Sequence, residues 1–337
     1  MTTILWQSRS PVVYGSFQKG ELVNAANGGN AYDFQAIKVL AEKFRIDVDK
    51  SSVKKPGENL FQYWWRMRNH LPQSEVFIME PFPLIFGKRP SKSKSIAVIH
   101  HIDDQGGALS LKHRWFFSRL KKQLTKIDLV ITVSTYWEAY LKELGCNNVK
   151  VIYNAFNPSE YQVSQEAIAR FKKQHGFNDE QPLIYLGNAS RQKGVYEAYE
   201  ALKDLNYQLV MSGMENRAAD LPVKFLNLKR SDYITLLNAA DVVVTMSKLT
   251  EGWNRIAHEA LLCKTPVIGS GTGGMQELLQ KAGQGIIIDP SQLTAAVQTA
   301  IANKNTLGTT GYSYASQFDQ SYFEREWIQT LTDLIKK

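Results

Sequence analysis

Two cationic side chains, Arg191 and Lys193, lie in a short loop of residues 187–194 that has a glycine at each end. The loop follows an apolar, strand-like run and leads into a segment with helical character. Backbone amides at the start of a helix, together with two cations, form a favourable site for a diphosphate. The loop therefore indicates an anion site, with an ordinary exposed basic turn as the alternative.

Two carboxylates, Glu251 and Glu259, follow a later strand-like run and are eight residues apart. Eight residues make about two helical turns, so both side chains fall on nearly the same side and could address one ligand at two depths. Carboxylates accept hydrogen bonds from hydroxyl groups, such as those of a ribose or another sugar. The alternative is a pair of solvated helix glutamates, but the apolar neighbours Ala257 and Leu261 argue against it for Glu259.

A glycine-rich loop of residues 269–274 opens a further helix at Met275, and its backbone amides could meet an anion. The spacing of Gly269, Gly271 and Gly274 also matches the dinucleotide fingerprint, which makes an NAD-dependent oxidoreductase one alternative. That fingerprint usually opens a domain, whereas here it comes near the end of the chain. It would also leave the cationic loop and the two glutamates without a role.

These loops must be positioned by strands that alternate with helices. Eleven short runs are predicted as strands, at residues 4–7, 76–79, 96–99, 129–133, 149–152, 183–186, 208–211, 223–227, 242–246, 266–268 and 286–288. Helical spacing of apolar residues is clearest at 195–203, 231–240, 255–263 and 275–281. Such alternation predicts parallel sheets covered on both faces, and eleven strands suit two sheets better than one. We therefore predict two α/β domains with a seam near Asn157-Pro158.

The composition of the 337-residue chain excludes several classes of protein. Its two cysteines, Cys146 and Cys263, lie far apart, which argues against a disulfide scaffold and suits a reducing compartment. The N-terminus does not read as a secretory signal, and no apolar run approaches the roughly 18 residues that span a membrane. These features predict a cytoplasmic protein, at most resting on a membrane surface.

Positive charge is concentrated in residues 88–126, where only Asp103 and Asp104 oppose ten cations. The cations are Lys88, Arg89, Lys92, Lys94, Lys112, Arg114, Arg119, Lys121, Lys122 and Lys126. The formal net charge of the whole chain is +8, so one face of the first half should attract anions. A well-solvated surface is the alternative. No nucleic-acid recognition module is visible, and we expect no nucleic acid partner.

Taken in chain order, these motifs resemble glycosyltransferase family 4. The resemblance rests first on Glu251 and Glu259, with Gly252 and an aromatic residue after the first Glu. Further landmarks in the second half are the loop 187–194, the strand and turn 209–213, the segment 239–242 and the Gly-Gly-x-x-Glu turn 272–277. In the first half they are Gly28 and Gly29 before a helix and the segments 130–134 and 151–154.

The resemblance implies the glycosyltransferase-B fold, an α/β architecture of two Rossmann-like domains facing across a cleft. Residues 1–157 would form the acceptor-side domain, and residues 158–314 would bind the nucleotide sugar. A C-terminal helix within residues 315–337 would pack back on the first domain. Its apolar stripe consists of Phe323, Trp327, Leu331 and Leu334.

By the same resemblance, Arg191 and Lys193 would neutralise the donor diphosphate and its leaving charge. Glu259 would hold the ribose hydroxyls, and Glu251 would face the transferred sugar. The other donor-binding residues would be Gly28, Gly29, Gly252, Trp253, Asn254 and Arg255. His100 or His101, after the strand 96–99, would contact the sugar or the reacting centre. Neighbours on a strand face opposite ways, so which histidine points inward stays open.

Asn254 and Arg255 depart from the family pattern, which usually has Gly and an aliphatic residue there. Arg255 adds charge where phosphate and sugar would meet, and the donor stays open between UDP and GDP sugars. No Asp-x-Asp metal motif follows a strand, so we expect no metal, and no cofactor besides the nucleotide diphosphate sugar as co-substrate.

The implied activity is that of a retaining, metal-independent hexosyltransferase in cell-surface polysaccharide or glycolipid synthesis. A non-catalytic nucleotide-sugar-binding protein of the same fold is an alternative, although all four charged residues of the two motifs are present. A sugar-nucleotide epimerase is another, and it would need no separate acceptor.

Basic and aromatic residues are mixed in two stretches of the first half, 59–71 and 112–122. Rings and cations together suit an anionic membrane interface. We therefore expect a glycan or lipid-linked acceptor and a peripheral position at the inner face of the membrane. The alternative is that the aromatic rings fill the core of the first domain.

Overall fold

The computed structural model describes residues 2–23, 28–102 and 110–336 of the chain. They divide into two compact units. Unit 1 comprises Met1–Asn154 and Ser321–Lys337, and unit 2 comprises Ala155–Gln320. Asp103 and Asp104 of the cationic stretch lie outside the described residues.

Unit 1 is built on a parallel sheet of six strands in the order β2-β1-β3-β4-β5-β6. The strands are β1 (Thr3–Gln7), β2 (Arg45–Val48), β3 (Val76–Met79), β4 (Lys94–Ile99), β5 (Leu129–Thr132) and β6 (Val149–Val151). The helices between them are α1 (Pro11–Lys19), α2 (Gly28–Ala41), α3 (Leu60–Arg68), α4 (Pro81–Phe86), α5 (Leu111–Leu124) and α6 (Thr135–Glu143).

The strands of unit 1 show why this part of the chain forms a layered sheet. Every residue of β3 and β5 is buried, as expected for strands with both faces covered. The edge strand β2 instead alternates exposed Arg45 and Asp47 with the more buried Ile46 and Val48. Side chains also mark where helices begin, since Asn59 forms a reciprocal capping box at the start of α3.

Unit 2 contains a second parallel sheet, in the order β12-β11-β10-β7-β8-β9. Its strands are β7 (Leu183–Asn188), β8 (Gln208–Ser212), β9 (Lys224–Leu226), β10 (Val242–Thr245), β11 (Val267–Gly269) and β12 (Gly285–Ile286). Its helices are α7 (Gln165–His175), α8 (Val195–Leu202), α9 (Arg230–Ala239), α10 (Arg255–Leu262), α11 (Gly274–Lys281), α12 (Leu293–Ala302) and α13 (Lys304–Ala315). Short 3₁₀ turns occupy Lys50–Ser52, Pro158–Tyr161, Arg191–Lys193 and Pro290–Gln292.

Each sheet has one switch point, where the strand order reverses between two neighbouring strands. The switch point lies between β1 and β3 in unit 1 and between β7 and β10 in unit 2. Connections leave such a pair in opposite directions, which opens a crevice at the carboxyl ends of the strands, where ligands bind in open α/β sheets. The loops after these four strands are therefore the places to look for chemistry.

The C-terminal helix α14 (Gln320–Lys336) belongs to unit 1 from Ser321 onward. Its buried residues are the stripe expected from the sequence: Phe323, Trp327, Leu331 and Leu334. The Trp327 ring centroid lies 5.9 Å from that of Trp6 in β1, and Phe323 packs edge-on against Tyr32 of α2. The helix thus completes the core of unit 1.

The sequence identified most of these elements. All eleven predicted strands overlap observed ones, and α8 to α11 lie where helices were predicted. The structure adds β2 and several helices, which are α1, α3, α4, α5, α6, α12 and α13, and it places the unit boundaries after Asn154 and Gln320 rather than after 157 and 314. The Phe156 amide donates to the Phe318 carbonyl at 3.0 Å, which ties both connecting segments to unit 2.

Candidate active site

The cationic loop between β7 and α8 brings Lys193 to Glu251. Lys193 Nζ lies 2.7 Å from Glu251 Oε1, and the two side chains are 31% and 14% exposed. Gly194 determines the path of the loop, because it has φ +72° and a Cβ there would lie 1.9 Å from the Met246 carbonyl oxygen. The loop after β7 therefore packs directly on the chain leaving β10, at the switch point of unit 2.

Arg191, in the same loop, is more exposed. Its guanidinium lies 3.9 Å from the centre of the Tyr196 ring and 4.0 Å from Asp220 Oδ2, and the side chain is 71% exposed. An exposed ion pair at this distance contributes little. The guanidinium can therefore exchange these contacts for an incoming anion.

The glycine loop after β11 packs against the loop that carries Glu251. The Gly274 amide donates to the Glu251 carbonyl at 2.8 Å, and Thr272 Oγ1 donates to the Leu249 carbonyl at 2.7 Å. Gly273 has φ +62°, and a Cβ there would lie 2.4 Å from the Glu251 carbonyl oxygen. Close contact between the two loops thus explains the glycine at position 273 without a dinucleotide.

Glu259 is buried, and its carboxylate accepts hydrogen bonds from three side chains of unit 2. Oε1 accepts from the Tyr161 hydroxyl at 3.1 Å and from Arg230 at 2.6 Å, and Oε2 accepts from the Tyr233 hydroxyl at 3.1 Å. Burial and the nearby carboxylate raise the pKa of both tyrosines, so their hydroxyls remain donors. A ligand hydroxyl at Glu259 would have to join or replace one of these partners.

Two of the residues between the glutamates build the start of α10. Asn254 caps the helix, since its side chain accepts from the Ala257 amide at 3.0 Å and donates to Thr245 Oγ1 at 2.7 Å. Trp253 is buried, and its indole N–H donates to Nδ1 of His258 at 2.9 Å. Burial lowers the pKa of His258 to about 3, so this ring is neutral. Both predicted donor-binding side chains therefore have partners within unit 2.

Arg255 and Gly252 complete that segment. The Arg255 guanidinium lies 4.4 Å from the centre of the Phe156 ring, and burial lowers its pKa. Gly252 is buried directly after Glu251. The guanidinium of Arg255, the residue that departs from the family pattern, thus stacks on an aromatic ring.

In unit 1, His100 follows β4 and is directed towards α2. Its Nε2 lies 3.1 Å from Asp33 Oδ1, and its ring packs edge-on against Tyr32 with centroids 5.0 Å apart. The neighbouring His101 is exposed. The two histidines thus lie in different environments: His100 contacts the buried Asp33, whereas His101 is exposed. Gly28 and Gly29 begin α2, the helix that carries Asp33.

Glu80 joins Asp33 at the switch point of unit 1. It directly follows β3, its carboxyl hydrogen-bonds that of Asp33, and its Oε2 accepts from the Arg9 amide at 3.2 Å. Neither acid was among the predicted site residues. A search for polar residues after each strand could have found Glu80, whereas Asp33 lies within a helix and carries no comparable signal.

A second surface of unit 1 combines rings with cations, and we call it the basic-aromatic surface. Its members on α3 and α5 are Phe61, Trp65, Arg68, Trp115 and Arg119. The three rings are 67%, 59% and 52% exposed, while the adjacent Tyr63 is buried and Phe116 packs against the core. Some rings therefore fill the core, as the alternative predicted, and others are exposed, because neighbouring residues on a helix face different ways. A cavity of about 160 Å³ between these helices is lined in part by Arg68, Arg89 and Arg119.

Two searches for other features gave negative results. Within residues 2–23, 28–102 and 110–336, no cluster of three or more His, Cys, Asp or Glu side chains could hold a metal ion. No helix in the described part of the chain has the length and apolarity needed to cross a membrane.

Two family models match the chain, one in each half. The model for glycosyltransferase family 4 matches residues 35–160, and the model for glycosyl transferases group 1 matches residues 167–311. The second match contains the basic loop and both glutamates.

Two curated relatives come from Methanocaldococcus jannaschii, and both are described as uncharacterized glycosyltransferases. One is 27% identical over 325 residues, which is 91% of this chain and 84% of the relative. The other is 33% identical over 187 residues, which is 48% of this chain and 47% of the relative. The alignment thus spans about half the length of that second protein.

Solved structures share the fold over the whole chain. Sucrose-phosphate synthase from Thermosynechococcus elongatus gives a TM-score of 0.78 at 18% identity, and 100% of each chain is covered. Anabaena HepE in complex with UDP-glucose gives 0.70 at 20% identity, covering 99% of this chain and 100% of its own. Two parallel six-stranded sheets and these likenesses establish the glycosyltransferase-B fold.

Proposed function

The chain is a glycosyltransferase of family 4, and on that basis we propose that it moves a hexosyl group from a nucleotide diphosphate sugar to a glycan or lipid-linked acceptor. We propose that the transfer retains the anomeric configuration, needs no metal and serves cell-surface polysaccharide or glycolipid synthesis. The nucleotide sugar is a co-substrate rather than a resident cofactor.

The observation that carries this proposal is the Lys193–Glu251 pair at the switch point of unit 2. A cation beside the start of α8 suits the diphosphate, and a carboxylate 2.7 Å away suits the hydroxyls of the attached sugar. Arg191 supplies a second cation on the same loop. As charge builds on the leaving diphosphate, fixed cations stabilise it more than they stabilise the ground state.

We propose UDP or GDP as the nucleotide, and the Anabaena neighbour in complex with UDP-glucose supports testing UDP sugars first. In this proposal, Glu259 holds the ribose by exchanging one of its tyrosine or arginine partners for ribose hydroxyls. Arg230, whose side chain is 51% exposed, is the partner most able to move.

The test combines binding with transfer. UDP-glucose, UDP-N-acetylglucosamine, GDP-mannose and ADP-glucose are compared by thermal shift, because a ligand that binds the folded state raises its stability. The radiolabelled donor that binds is then incubated with a lipid extract and with soluble glycans, and both fractions are counted. We expect label in one fraction and the donor anomer kept in the product. No label transfer by an enzyme that binds donor would contradict the proposal, as would epimerisation of the donor without acceptor.

For the acceptor side, we propose that unit 1 meets anionic lipid through the basic-aromatic surface, at the cytoplasmic face of a membrane. Exposed rings suit the headgroup region, and Arg68 and Arg119 beside them suit anionic lipids. Vesicle flotation tests this: binding should require anionic lipid and fall as salt rises. If the protein stays off anionic vesicles at low salt, the lipid surface is wrong and a soluble acceptor is the better choice.

A further inference from the structure

Three side chains form a chain of hydrogen bonds at the switch point of unit 1. His100 Nε2 lies 3.1 Å from Asp33 Oδ1, and the Asp33 and Glu80 carboxyls hydrogen-bond each other. They come from different elements, since His100 follows β4, Glu80 follows β3 and Asp33 lies in α2. Asp33 is 2% exposed. We call Asp33 and Glu80 the acid pair.

The geometry of the acid pair requires a shared proton. Two ionised carboxylates are both acceptors and cannot hydrogen-bond each other, so one of the two must carry a proton. Burial raises the pKa of Asp33 to about 7, and burial followed by the Asp33 charge raises the pKa of Glu80 well above its ordinary value. A pair of this kind titrates as a unit and holds one proton near neutral pH.

The surrounding groups agree with a single negative charge on the pair. Tyr32 of α2 and Tyr63 of α3 face it, and burial raises the pKa of both, so they remain neutral. Arg9 meets Glu80 through its backbone amide, while its guanidinium lies 3.9 Å from the centre of the Phe82 ring. Asp33 thus has His100 on one side and Glu80 on the other.

We propose that Asp33 and Glu80 are positioning residues for sugar transfer, with Glu80 donating the shared proton to Asp33 and Asp33 accepting the Nε2–H of His100. The proposal rests on the proposed function and on the role at the reacting centre that the family resemblance implies for His100. In this state Asp33 accepts two hydrogen bonds, and the imidazole is held as the Nε2–H tautomer against the edge of Tyr32.

Loss of the shared proton to solvent at higher pH would change this arrangement. The pair would then hold two adjacent negative charges, which repel each other and would separate the carboxyls. The hydrogen bond from His100 to Asp33 would change as the carboxyls separate. Transfer should therefore decline on the alkaline side with the apparent pKa of the acid pair.

Two substitutions separate the roles of the acids. Glu80→Gln keeps a donor to Asp33 but has no titratable proton, so near neutral pH it should keep most of kcat while its alkaline decline moves up or disappears. Asp33→Asn removes the charged acceptor of His100, and kcat should fall about tenfold or more with little change in the donor KM. Glu75→Gln, at the exposed start of β3, is the matched control and should keep the wild-type pH profile.

A readout independent of turnover is the ¹⁵N spectrum of the histidine rings, with His100 assigned from its loss in His100→Gln. We expect the Nε2–H tautomer in wild type and Glu80→Gln, and loss of that preference in Asp33→Asn. The Nδ1–H tautomer in wild type, or an unchanged His100 signal in Asp33→Asn, would overturn the proposal. An unchanged alkaline decline in Glu80→Gln would also overturn it. A wild-type enzyme that transfers no sugar would contradict the proposed function, and the ring spectra would still decide the acid pair.

Discussion

The switch points of the two units carry charge in opposite ways. In unit 2, Lys193 and Arg191 place cations on a loop, and their side chains are 31% and 71% exposed. In unit 1, the charge belongs to buried acids, of which Asp33 is 2% exposed. One architecture thus presents cations at the switch point of unit 2, which we call the basic edge, and buried, partly protonated acids at the switch point of unit 1, which we call the acidic edge.

The difference teaches what each edge can do. The exposed Arg191 and the half-buried Lys193 can exchange one anion for another, which suits a diphosphate that enters and leaves. Buried acids cannot move without breaking their packing, so they can only orient a neighbour or hold a proton. We therefore assign binding to the basic edge of unit 2 and positioning to the acidic edge of unit 1.

The largest expected effect is that of Lys193→Ala. Removing Nζ deletes the proposed diphosphate contact and the 2.7 Å ion pair with Glu251, so kcat/KM should fall by about a hundredfold or more. Steady-state transfer assays measure it. The matched control is Lys203→Ala at the C-terminal end of α8, since Lys203 pairs with Glu200 at 2.6 Å on the surface. Equal effects from the two variants would break the assignment of binding to the basic edge.

The next effect concerns Glu259→Gln. The amide keeps the shape of the side chain but loses the charge that holds Arg230. The affinities for the donor sugar and for the free nucleotide diphosphate should therefore both fall, by about tenfold. Isothermal titration of both ligands gives the two affinities, with Glu200→Gln as an exposed control. A loss confined to the donor sugar would mean that Glu259 meets the sugar and that the roles of the two glutamates are exchanged.

The acid pair makes the stability of unit 1 depend on pH. Burial raises the pKa of Glu80 well above its ordinary value and that of Asp33 to about 7, so the folded state binds protons at the pair more tightly than the unfolded state does. The free energy of unfolding is therefore highest at a pH below the ordinary carboxyl pKa, and it falls as the pH rises towards 7 and beyond. Glu80→Gln removes one of the two acids, so its loss of stability between pH 5 and 8 should be smaller, by about 1–3 kcal/mol.

Urea unfolding followed by tryptophan fluorescence measures this difference. Six of the seven tryptophans lie in unit 1, and only Trp253 lies in unit 2, so the signal reports mainly on unit 1. Equal pH slopes for wild type and Glu80→Gln would show that the pair does not share a proton.

The smallest effect on stability is expected at the basic-aromatic surface. Trp65→Ser with Trp115→Ser replaces rings that are 59% and 52% exposed, so unfolding free energy should change by no more than about 0.5–1 kcal/mol. Flotation with anionic vesicles should nevertheless fall clearly. Met214→Ser, at a 74% exposed side chain of unit 2, is the control and should bind vesicles like wild type. Equal flotation of all three proteins would show that the two rings do not contribute to membrane binding.

The sequence predicted the basic edge better than the acidic one, for a physical reason. Lys193 and Glu251 stand in loops after strands, where hydrophobic runs end and polar residues are easily seen. Asp33 lies inside α2, where its partners come from β3 and β4, about 50 and 70 residues away along the chain. Such a cluster depends on strand order, which spacing alone does not give.

The missed elements follow the same pattern. The edge strand β2 carries exposed Arg45 and Asp47, so its apolar signal is reduced to two residues. The resemblance predicts the backbone of residues 252–255 near the donor sugar. The structure adds that the side chains of Trp253 and Asn254 lie in the core and at the cap of α10, which position beside a motif does not reveal.

The most direct test of the central claim compares nucleotide affinity between one variant of each edge. UDP and GDP are titrated calorimetrically into wild type, Lys193→Ala and Glu80→Gln. We predict that Lys193→Ala lowers the affinity for the nucleotide that wild type prefers by at least about tenfold, whereas Glu80→Gln binds this nucleotide with wild-type affinity. Unchanged affinity in Lys193→Ala, or an equal loss in Glu80→Gln, would contradict the division into a binding edge and a positioning edge.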